Sequence, residues 1–285
     1  MRLDSHQHFW SYHPREYGWI GDRMGAIRRD FAPGDLKPLL RANGFDGAVT
    51  VQVRQSLEET ESMLRLAGEH AFIRGVVGWV DLRSPNVRRD LERFRRHPRF
   101  VGVRHVVQDE GDPRFLLGEE FLRGVAVLAD LDLAYDLLVY HRHLPAVFDF
   151  VSRFPEGRLV LDHMGKPDIA GGELEPWASW IRKLGRFENL YCKVSGMVTE
   201  ASWGEGERWK VSDFTPYLDV VLQAFGPRRL LFGSDWPVCT LAASYEGVVE
   251  IVRDFIEPLA SAEKERILGG AAVELYRLEE PPNES

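Results

Sequence analysis

Two histidines near the start of the sequence, His6 and His8, are separated by one residue and end an apolar run. In a β-strand, residues two apart point to the same side. Two neutral imidazoles at this spacing can bind one divalent metal ion, and such ligands suit zinc. A pair of hydrogen-bonded core histidines would show the same spacing, so the motif alone is weak and needs partners elsewhere in the chain.

Two residues of the same chemical kind end later apolar runs. His163 stands in LDHMGKP and Asp235 stands in LFGSDWPV, each where a strand-like run meets a loop. Burying an unpaired acid or base is costly. An ordinary polar cap explains each residue singly, whereas a shared site explains all four. The pattern therefore predicts one site formed by His6, His8, His163 and Asp235.

Short apolar runs alternate with amphipathic segments along the chain. We predict strands over residues 2–8, 47–53, 73–80, 100–106, 133–139, 158–163, 189–195 and 229–234. We predict helices over residues 57–70, 87–97, 118–131, 144–154, 177–187, 215–225, 244–256 and 262–269. This alternation predicts an α/β fold, a single (β/α)8 TIM barrel, with catalytic residues at the C-terminal ends of its strands. A doubly wound sheet is the main alternative, but the chain has no glycine-rich phosphate loop to support it.

The boundaries follow from the same pattern. We expect one barrel domain over residues 1–278 and a flexible tail over 279–285. Two long polar segments, 9–36 and 198–213, follow the first and seventh strands, which places them on the catalytic face. We interpret both as candidate lids or pocket walls, with plain surface decoration as the alternative.

Further side chains at strand ends are predicted to form the substrate pocket. The predicted substrate-binding residues are Trp10, Gln52, Trp79, Arg104, His105, Asp136, Lys166, Lys193 and Trp236. Ser195, on the same face of its strand as Lys193, is a further wall candidate. Arg54 and Gln55 are weaker candidates, and Trp203 lies in a candidate lid. Indoles stack on the apolar faces of sugar rings while polar neighbours bind hydroxyl groups. The alternative for the tryptophans is core packing.

Composition excludes several classes of partner. The formal net charge is −8, which argues against binding to nucleic acid or to an anionic membrane. We see no secretory signal and no apolar run that would span a bilayer, so we expect a cytoplasmic protein. Cys192 and Cys239 are far apart and are expected to be buried free thiols. The oligomeric state is open, and a homo-oligomer is compatible with the sequence.

Longer strings in the chain resemble the amidohydrolase superfamily. DSHQHFW, GWVDL, GVRH, LDHMGKP, YCKVSGM and LFGSDWPV are similar to its lactonase-rich branch, which includes L-fuconolactonases, L-rhamnonolactonases, sulfomuconolactone hydrolases and pyrone-dicarboxylate lactonases. The similarity covers nearly the whole chain and is strongest to the sugar-acid lactonases. It implies a barrel hydrolase in which water attacks the carbonyl of a small lactone similar to L-fuconolactone.

One departure bears on the metal. Many members of the superfamily carry a metal-binding histidine at the end of strand five or a bridging lysine or glutamate at strand four. Here strand five gives Tyr135, Asp136 and Leu137. We expect one divalent ion, most readily zinc, bound by His6, His8 and Asp235, with His163 as a fourth ligand or an acid. Because some members of this branch work without a metal, a metal-independent site is the alternative.

The resemblance also implies roles and alternatives. Asp235 is the expected general base, and its alternative role is to orient a neighbouring histidine. Runner-up functions are hydrolysis of a pyrone or muconolactone dicarboxylate and a non-catalytic sugar-acid or metal-binding barrel. A nonoxidative decarboxylase is disfavoured because its usual strand-five histidine is missing.

Overall fold

The fold is described from a computed structural model, which covers residues 1–204 and 209–279. Within these residues the chain forms one parallel sheet of eight strands in sequential order. The strands are β1 Leu3–Gln7, β2 Gly47–Val51, β3 Ile73–Gly78, β4 Phe100–Val106, β5 Ala134–Leu138, β6 Leu159–Leu161, β7 Leu190–Val194 and β8 Leu230–Phe232. All eight predicted strands are thereby confirmed.

The last strand closes onto the first. The Gln7–Trp236 bridge is parallel, His8 N donates to Trp236 O at 2.8 Å, and Asp235 N donates to His6 O at 2.8 Å. These bonds join the two chain segments that carry the predicted catalytic residues. The predicted (β/α)8 barrel is therefore confirmed, and closure is what brings the first and eighth strand ends together.

Helices surround the sheet in the order that a barrel requires. They are α1 Pro33–Ala42, α2 Leu57–Glu69, α3 Val87–Arg95, α4 Glu119–Asp130, α5 Leu144–Val151, α6 Trp177–Leu184, α7 Met197–Glu200, α8 Val211–Phe225, α9 Tyr245–Ile256, α10 Ser261–Glu265 and α11 Ala271–Tyr276. Helix α1 was not predicted, and it lies partly inside the segment interpreted as a lid. Pro33 begins this helix, and the Asp35 carboxylate accepts a hydrogen bond from Ala32 N at 2.8 Å, which caps its first turn.

The core has two layers. Apolar side chains between the sheet and the helices form the larger cluster, and a smaller one fills the barrel interior. The interior cluster contains Leu3, Val49 and Leu231 together with Leu275 and Tyr276 from α11. Each such side chain, when fully buried, contributes about 1.5–3 kcal/mol. The last helix therefore plugs the N-terminal end of the barrel and leaves the opposite end for the site.

An irregularity in β1 orients the two histidines. Leu3 pairs with Gly47 and Asp4 with Ala48, but the pairing then shifts so that Gln7 faces Thr50. A bulge of this kind changes which side chains face inward. Leu3 faces the interior, and after the shift His6 and His8 do so as well.

The polar segments have structure of their own. The segment 9–36 contains a short 3-10 helix, Asp22–Ile27, and is pinned by a bridge between Trp10 and Phe31. The segment 198–213 includes residues 205–208, which lie outside the described residues, as do residues 280–285 of the expected tail. No helix in the described part of the chain is long and apolar enough to cross a membrane.

Candidate active site

Three donor side chains converge at the C-terminal end of the barrel. Ligand atoms of His6, His8 and Asp235 all lie within 4.8 Å of one another, and all three residues are buried. Nε2 of His8 is 3.2 Å from Oδ1 of Asp235, and Nε2 of His6 is 3.7 Å from the same oxygen. The structure therefore brings these three predicted residues together at one site.

His8 can present only one nitrogen to this site. Its Nδ1 lies 2.8 Å from the carbonyl oxygen of Val51, which can only accept. A neutral His8 ring therefore carries its proton on Nδ1 and directs the lone pair of Nε2 at Asp235.

A cation lies beside each nitrogen of His6. Nη1 of Arg104 is 3.2 Å from Nε2 and Nζ of Lys193 is 3.1 Å from Nδ1, and both groups can only donate, whereas a neutral ring accepts at one nitrogen. In the tautomer that can bind a metal through Nε2, the ring proton is on Nδ1. Its acceptor is then Oδ1 of Asp162 at 3.4 Å. Burial, with the cation of Lys193, lowers the pKa of His6 well below its usual value and keeps the ring neutral.

Asp235 is held by a tight turn. Its φ of +58° lies in the left-handed region. Gly233, two residues earlier, lets β8 approach β1, because a Cβ there would lie 2.6 Å from Cβ of His6. Burial alone would raise the pKa of Asp235, but a proton or cation shared with the facing imidazoles of His163, His8 and His6 holds the pKa well below the usual range. Asp235 is therefore a carboxylate at neutral pH.

With the His6 proton on Nδ1, two imidazole lone pairs and one carboxylate oxygen face one another. Such a set repels itself unless a cation lies between its members, and the only protein cation near these atoms in the described residues is Arg104, at Nε2 of His6. Borderline nitrogen and oxygen donors suit a divalent ion such as zinc. The residues present therefore fit the expected metal, with His6, His8 and Asp235 as its ligands.

His163 stands beside these three residues. Its ligand atom clusters with those of His6 and Asp162 rather than with the first group as a whole. Its Nδ1 lies 2.9 Å from Oγ of Ser195, and its φ of +52° turns the ring into the pocket. Burial lowers the pKa of His163 to about 4, so the ring is neutral at pH 7. This placement favours an acid or hydrogen-bonding role over that of a fourth ligand.

The site opens into a pocket of about 360 Å³. Its lining residues are His8, Trp10, Glu16, Trp19, Val53, Arg54, Gln55, Arg104, Val106, Gln108, Asp109, Leu138, His163, Lys166, Asp235 and Val238. Five residues predicted to form the pocket, Trp10, Arg54, Gln55, Arg104 and Lys166, are among them. A larger hollow of about 510 Å³ beside α8 contains none of these residues.

Each cation on the pocket wall already has an acidic partner. The Arg54 guanidinium pairs with the Glu16 carboxylate. Nζ of Lys166 is 3.3 Å from Oε1 of Glu200. Nη1 of Arg104 is 3.1 Å from Oδ2 of Asp162. The wall therefore presents polar groups with little unpaired positive charge.

Two residues predicted to contact substrate lie beneath the pocket instead. Lys193 and Asp136 are fully buried, and Nζ of Lys193 is 2.5 Å from Oδ2 of Asp136. Nζ is also 3.1 Å from Nδ1 of His6, behind the ring. Because neither side chain reaches the pocket, their expected role is corrected from wall to support. Gln52 is likewise buried and holds Arg104, whose Nε donates to its Oε1 at 3.1 Å.

Three other expected wall residues face away from the pocket. Nε1 of Trp79 donates to Nδ1 of His105 at 3.3 Å, and His105 in turn stacks on Phe115 outside the barrel. Arg104 and His105 are neighbours on β4, so strand alternation allows only one of them to face inward. Trp236 packs against Phe31 with ring centroids 5.3 Å apart. The prediction of these three as pocket residues is corrected.

Trp203 also lies outside the pocket wall, where its Nε1 donates to Thr199 O at 3.1 Å. Sequence reasoning missed Glu16 and Trp19, which line the pocket. Both lie in a loop, and a loop has no periodic pattern from which side-chain direction could be predicted.

Sequence reasoning also missed Asp162, although this acid directly precedes His163. The expected burial of both free thiols, Cys192 and Cys239, is confirmed.

Comparisons with known proteins find relatives along nearly the whole chain. A family model described as amidohydrolase matches residues 3–278. The chain is 44% identical over 289 residues to an L-fucono-1,5-lactonase of Burkholderia multivorans, covering 99% of this chain and 97% of that protein. It is 37% identical over 288 residues to an L-fucono-1,5-lactonase of Burkholderia ambifaria, again covering 99% and 97%. An amidohydrolase of Burkholderia multivorans crystallised with zinc superposes with a TM-score of 0.93 at 43% identity, covering 98% of this chain and 100% of that one.

Proposed function

The chain belongs to the amidohydrolase family, and from this membership we propose that it hydrolyses a sugar-acid lactone of the L-fuconolactone type to the aldonic acid. The observation that carries the proposal is the similarity to an L-fucono-1,5-lactonase over 99% of the chain. The carboxylate of Asp235, which faces two imidazole lone pairs inside a pocket, supplies the chemistry that this reaction needs.

The charges on the pocket wall support a neutral substrate. A dicarboxylate such as a pyrone dicarboxylate would need unpaired cations to replace its lost hydration. Arg54, Arg104 and Lys166 are each already paired with an acid. Glu16, Gln55 and Asp109 add oxygen and amide groups that can bind hydroxyls. A polyhydroxylated lactone therefore suits the pocket better than the runner-up dicarboxylate.

The proposed reaction uses Asp235 as its proton acceptor. Water forms a bond to the lactone carbonyl carbon and loses a proton to the Asp235 carboxylate. The bond between that carbon and the ring oxygen then breaks, and Asp235 returns the proton to the leaving alkoxide. In the described structure the contacts of the Asp235 carboxylate with His8 and His6 involve Oδ1 alone, which leaves the other oxygen for this proton.

Charge on the carbonyl oxygen is stabilised by neighbouring donors. If Ser195 donates to Nδ1 of His163, the neutral ring carries its proton on Nε2 and can donate to that oxygen. Arg104 lies on the pocket wall and adds a fixed positive charge. A divalent ion bound by His6, His8 and Asp235 would add Lewis acidity and lower the pKa of a bound water.

The identity of the metal stays part of the proposal, with zinc as the expected ion. The cytoplasmic location and a homo-oligomer remain predictions. The non-catalytic alternative is disfavoured because all four site residues are present and clustered, with His8, His163 and Asp235 on the pocket wall and His6 directly beneath. The decarboxylase alternative is disfavoured because Asp136, at strand five, is buried beneath the pocket.

A lactone panel tests the proposal. Acid release from L-fucono-1,5-lactone, a 1,4-lactone of the same acid and 2-pyrone-4,6-dicarboxylate is followed with a pH indicator near neutral pH. We expect the highest kcat/KM for an aldonolactone and loss of the signal in Asp235→Asn. Faster turnover of the pyrone dicarboxylate would favour the runner-up, and no turnover of any lactone by a metal-loaded protein would favour the non-catalytic alternative.

A further inference from the structure

A line of buried polar contacts runs from the last helix to the metal-ligand candidate His6. The Tyr276 hydroxyl of α11 lies 2.8 Å from Oδ2 of Asp136, and Nζ of Lys193 lies 2.5 Å from the same oxygen. Nζ is also 3.0 Å from Oδ1 of Asp162, the oxygen that faces Nδ1 of His6. The side chains of Lys193, Asp136 and Asp162 are fully buried.

Charge balance alone does not explain this arrangement. A buried ion pair can often be replaced by apolar residues without loss of stability, so its presence needs another reason. Here the ammonium lies 3.1 Å from Nδ1 of His6, and its hydrogens can bind the carboxylates of Asp136 and Asp162, which leaves the Nδ1 proton of His6 for Asp162. Asp162 is held at both oxygens, by Lys193 on Oδ1 and by Arg104 on Oδ2. A carboxylate fixed in this way can orient the imidazole that donates to it.

We propose that Lys193, anchored by Asp136 and Tyr276, is a positioning residue for His6. It fixes Asp162 against the Nδ1 edge of the ring, so that Nε2 faces the site as a ligand for a divalent ion. The inference rests on the proposed metal site and not on which lactone is hydrolysed. It makes α11, at the opposite end of the barrel, part of the support of the active site.

Paired variants separate positioning from charge balance. Lys193→Met removes the ammonium but leaves Asp136 buried and unpaired, so we expect a lower Tm. Lys193→Met with Asp136→Asn removes the pair together and should recover much of that Tm. If Lys193 positions His6, the double variant still binds Zn²⁺ about 10–100-fold more weakly, the loss typical of such supporting residues. Its kcat should fall by a similar factor with little change in KM.

The affinity is measured on metal-free protein by competition with a chromophoric chelator, using Zn²⁺ alone, so it needs no substrate. A double variant with a restored Tm, wild-type Zn²⁺ affinity and wild-type kcat would overturn the proposal. Wild-type protein that binds no Zn²⁺ would overturn it as well. A protein that binds Zn²⁺ as expected but opens no lactone would contradict only the proposed substrate.

Tyr276→Phe provides a milder test that does not depend on the folding of the lysine variants. It removes one hydroxyl from the anchor and should weaken Zn²⁺ binding several-fold, with a matching fall in kcat. The matched control is Tyr191→Phe, since the Tyr191 hydroxyl bonds to Glu274 and lies outside the line of contacts. Equal Zn²⁺ affinities in the two variants would show that the anchor does not reach His6.

Discussion

Nε2 of His8 lies 3.2 Å from Oδ1 of Asp235, and in the neutral ring neither atom carries a hydrogen. The proton of His8 is committed to the carbonyl of Val51 on the other side of the ring. Two acceptors at this distance need a shared cation or a shared proton. This contact joins the first strand to the eighth and is the reason for expecting both a metal and a base at Asp235.

Replacing Asp235 by asparagine tests its role as base. The asparagine side chain has nearly the same shape as the aspartate but cannot take a proton from water, so we expect kcat to fall by roughly 10²-fold or more with the fold retained. Steady-state kinetics on the best lactone, with thermal unfolding as a check on the fold, measure this. Near-normal turnover in a folded variant would move the base to His163.

Removal of the metal should abolish most of the activity. Two imidazole lone pairs and a carboxylate oxygen face one another at His6, His8 and Asp235, and a bound cation would satisfy all three. We expect exhaustive chelation to lower kcat and added Zn²⁺ to restore it, with about one ion per chain by elemental analysis. Full activity in protein shown to be metal-free would contradict this prediction and would mean that the protein side chains alone activate the water.

Freeing a cation on the pocket wall should change the substrate preference. Glu16→Gln removes the nearer acidic partner of Arg54, whose side chain is 27% exposed, and leaves Glu59 at 3.8 Å, so that part of the charge of Arg54 becomes available to an anionic ligand. Because solvent weakens the gain, we expect only about a tenfold better kcat/KM or inhibition constant for 2-pyrone-4,6-dicarboxylate. Glu120→Gln, on the exposed face of α4, is the control. An identical profile in both variants would mean that the pairing of Arg54 does not select against anions.

Glu59 should make stability depend on pH. Burial raises the pKa of Glu59 to about 7, although hydrogen bonds from Val53 N and Arg54 N oppose the shift. Between these two pKa values the folded state therefore keeps a proton on Glu59, whereas the unfolded state, in which the pKa of this group is near 4.5, releases it. Stability from this group is full below about pH 4.5 and falls as pH rises toward 7, by about 3 kcal/mol in total.

Glu59→Gln removes this dependence and keeps an oxygen for the two backbone donors. We expect the free energy of unfolding of the variant, relative to wild type, to rise by up to about 3 kcal/mol between pH 4.5 and pH 8. Urea unfolding at a series of pH values measures the difference. The exposed neighbour Glu58→Gln should show no such trend, and a parallel trend in both would assign the effect to other groups.

The pocket shows where sequence reasoning reaches its limit. Arg104 and His105 were both plausible wall residues, because alternation says that neighbours face opposite sides but not which side is inner. Asp162 was overlooked for the opposite reason. Alternation would place it away from His163, yet the positive φ at His163 ends the strand geometry and lets both side chains enter the site.

Local sequence pattern was sufficient to predict the barrel, its eight strands and the four residues at strand ends, because periodic burial and strand termini are properties that successive residues encode. The role of each residue at the site depends instead on the folded arrangement. Closure of β8 onto β1 sets the contact between His8 and Asp235, and burial turns Lys193 from a wall residue into a support. Those outcomes depend on distances between residues remote in the chain, which no local pattern records.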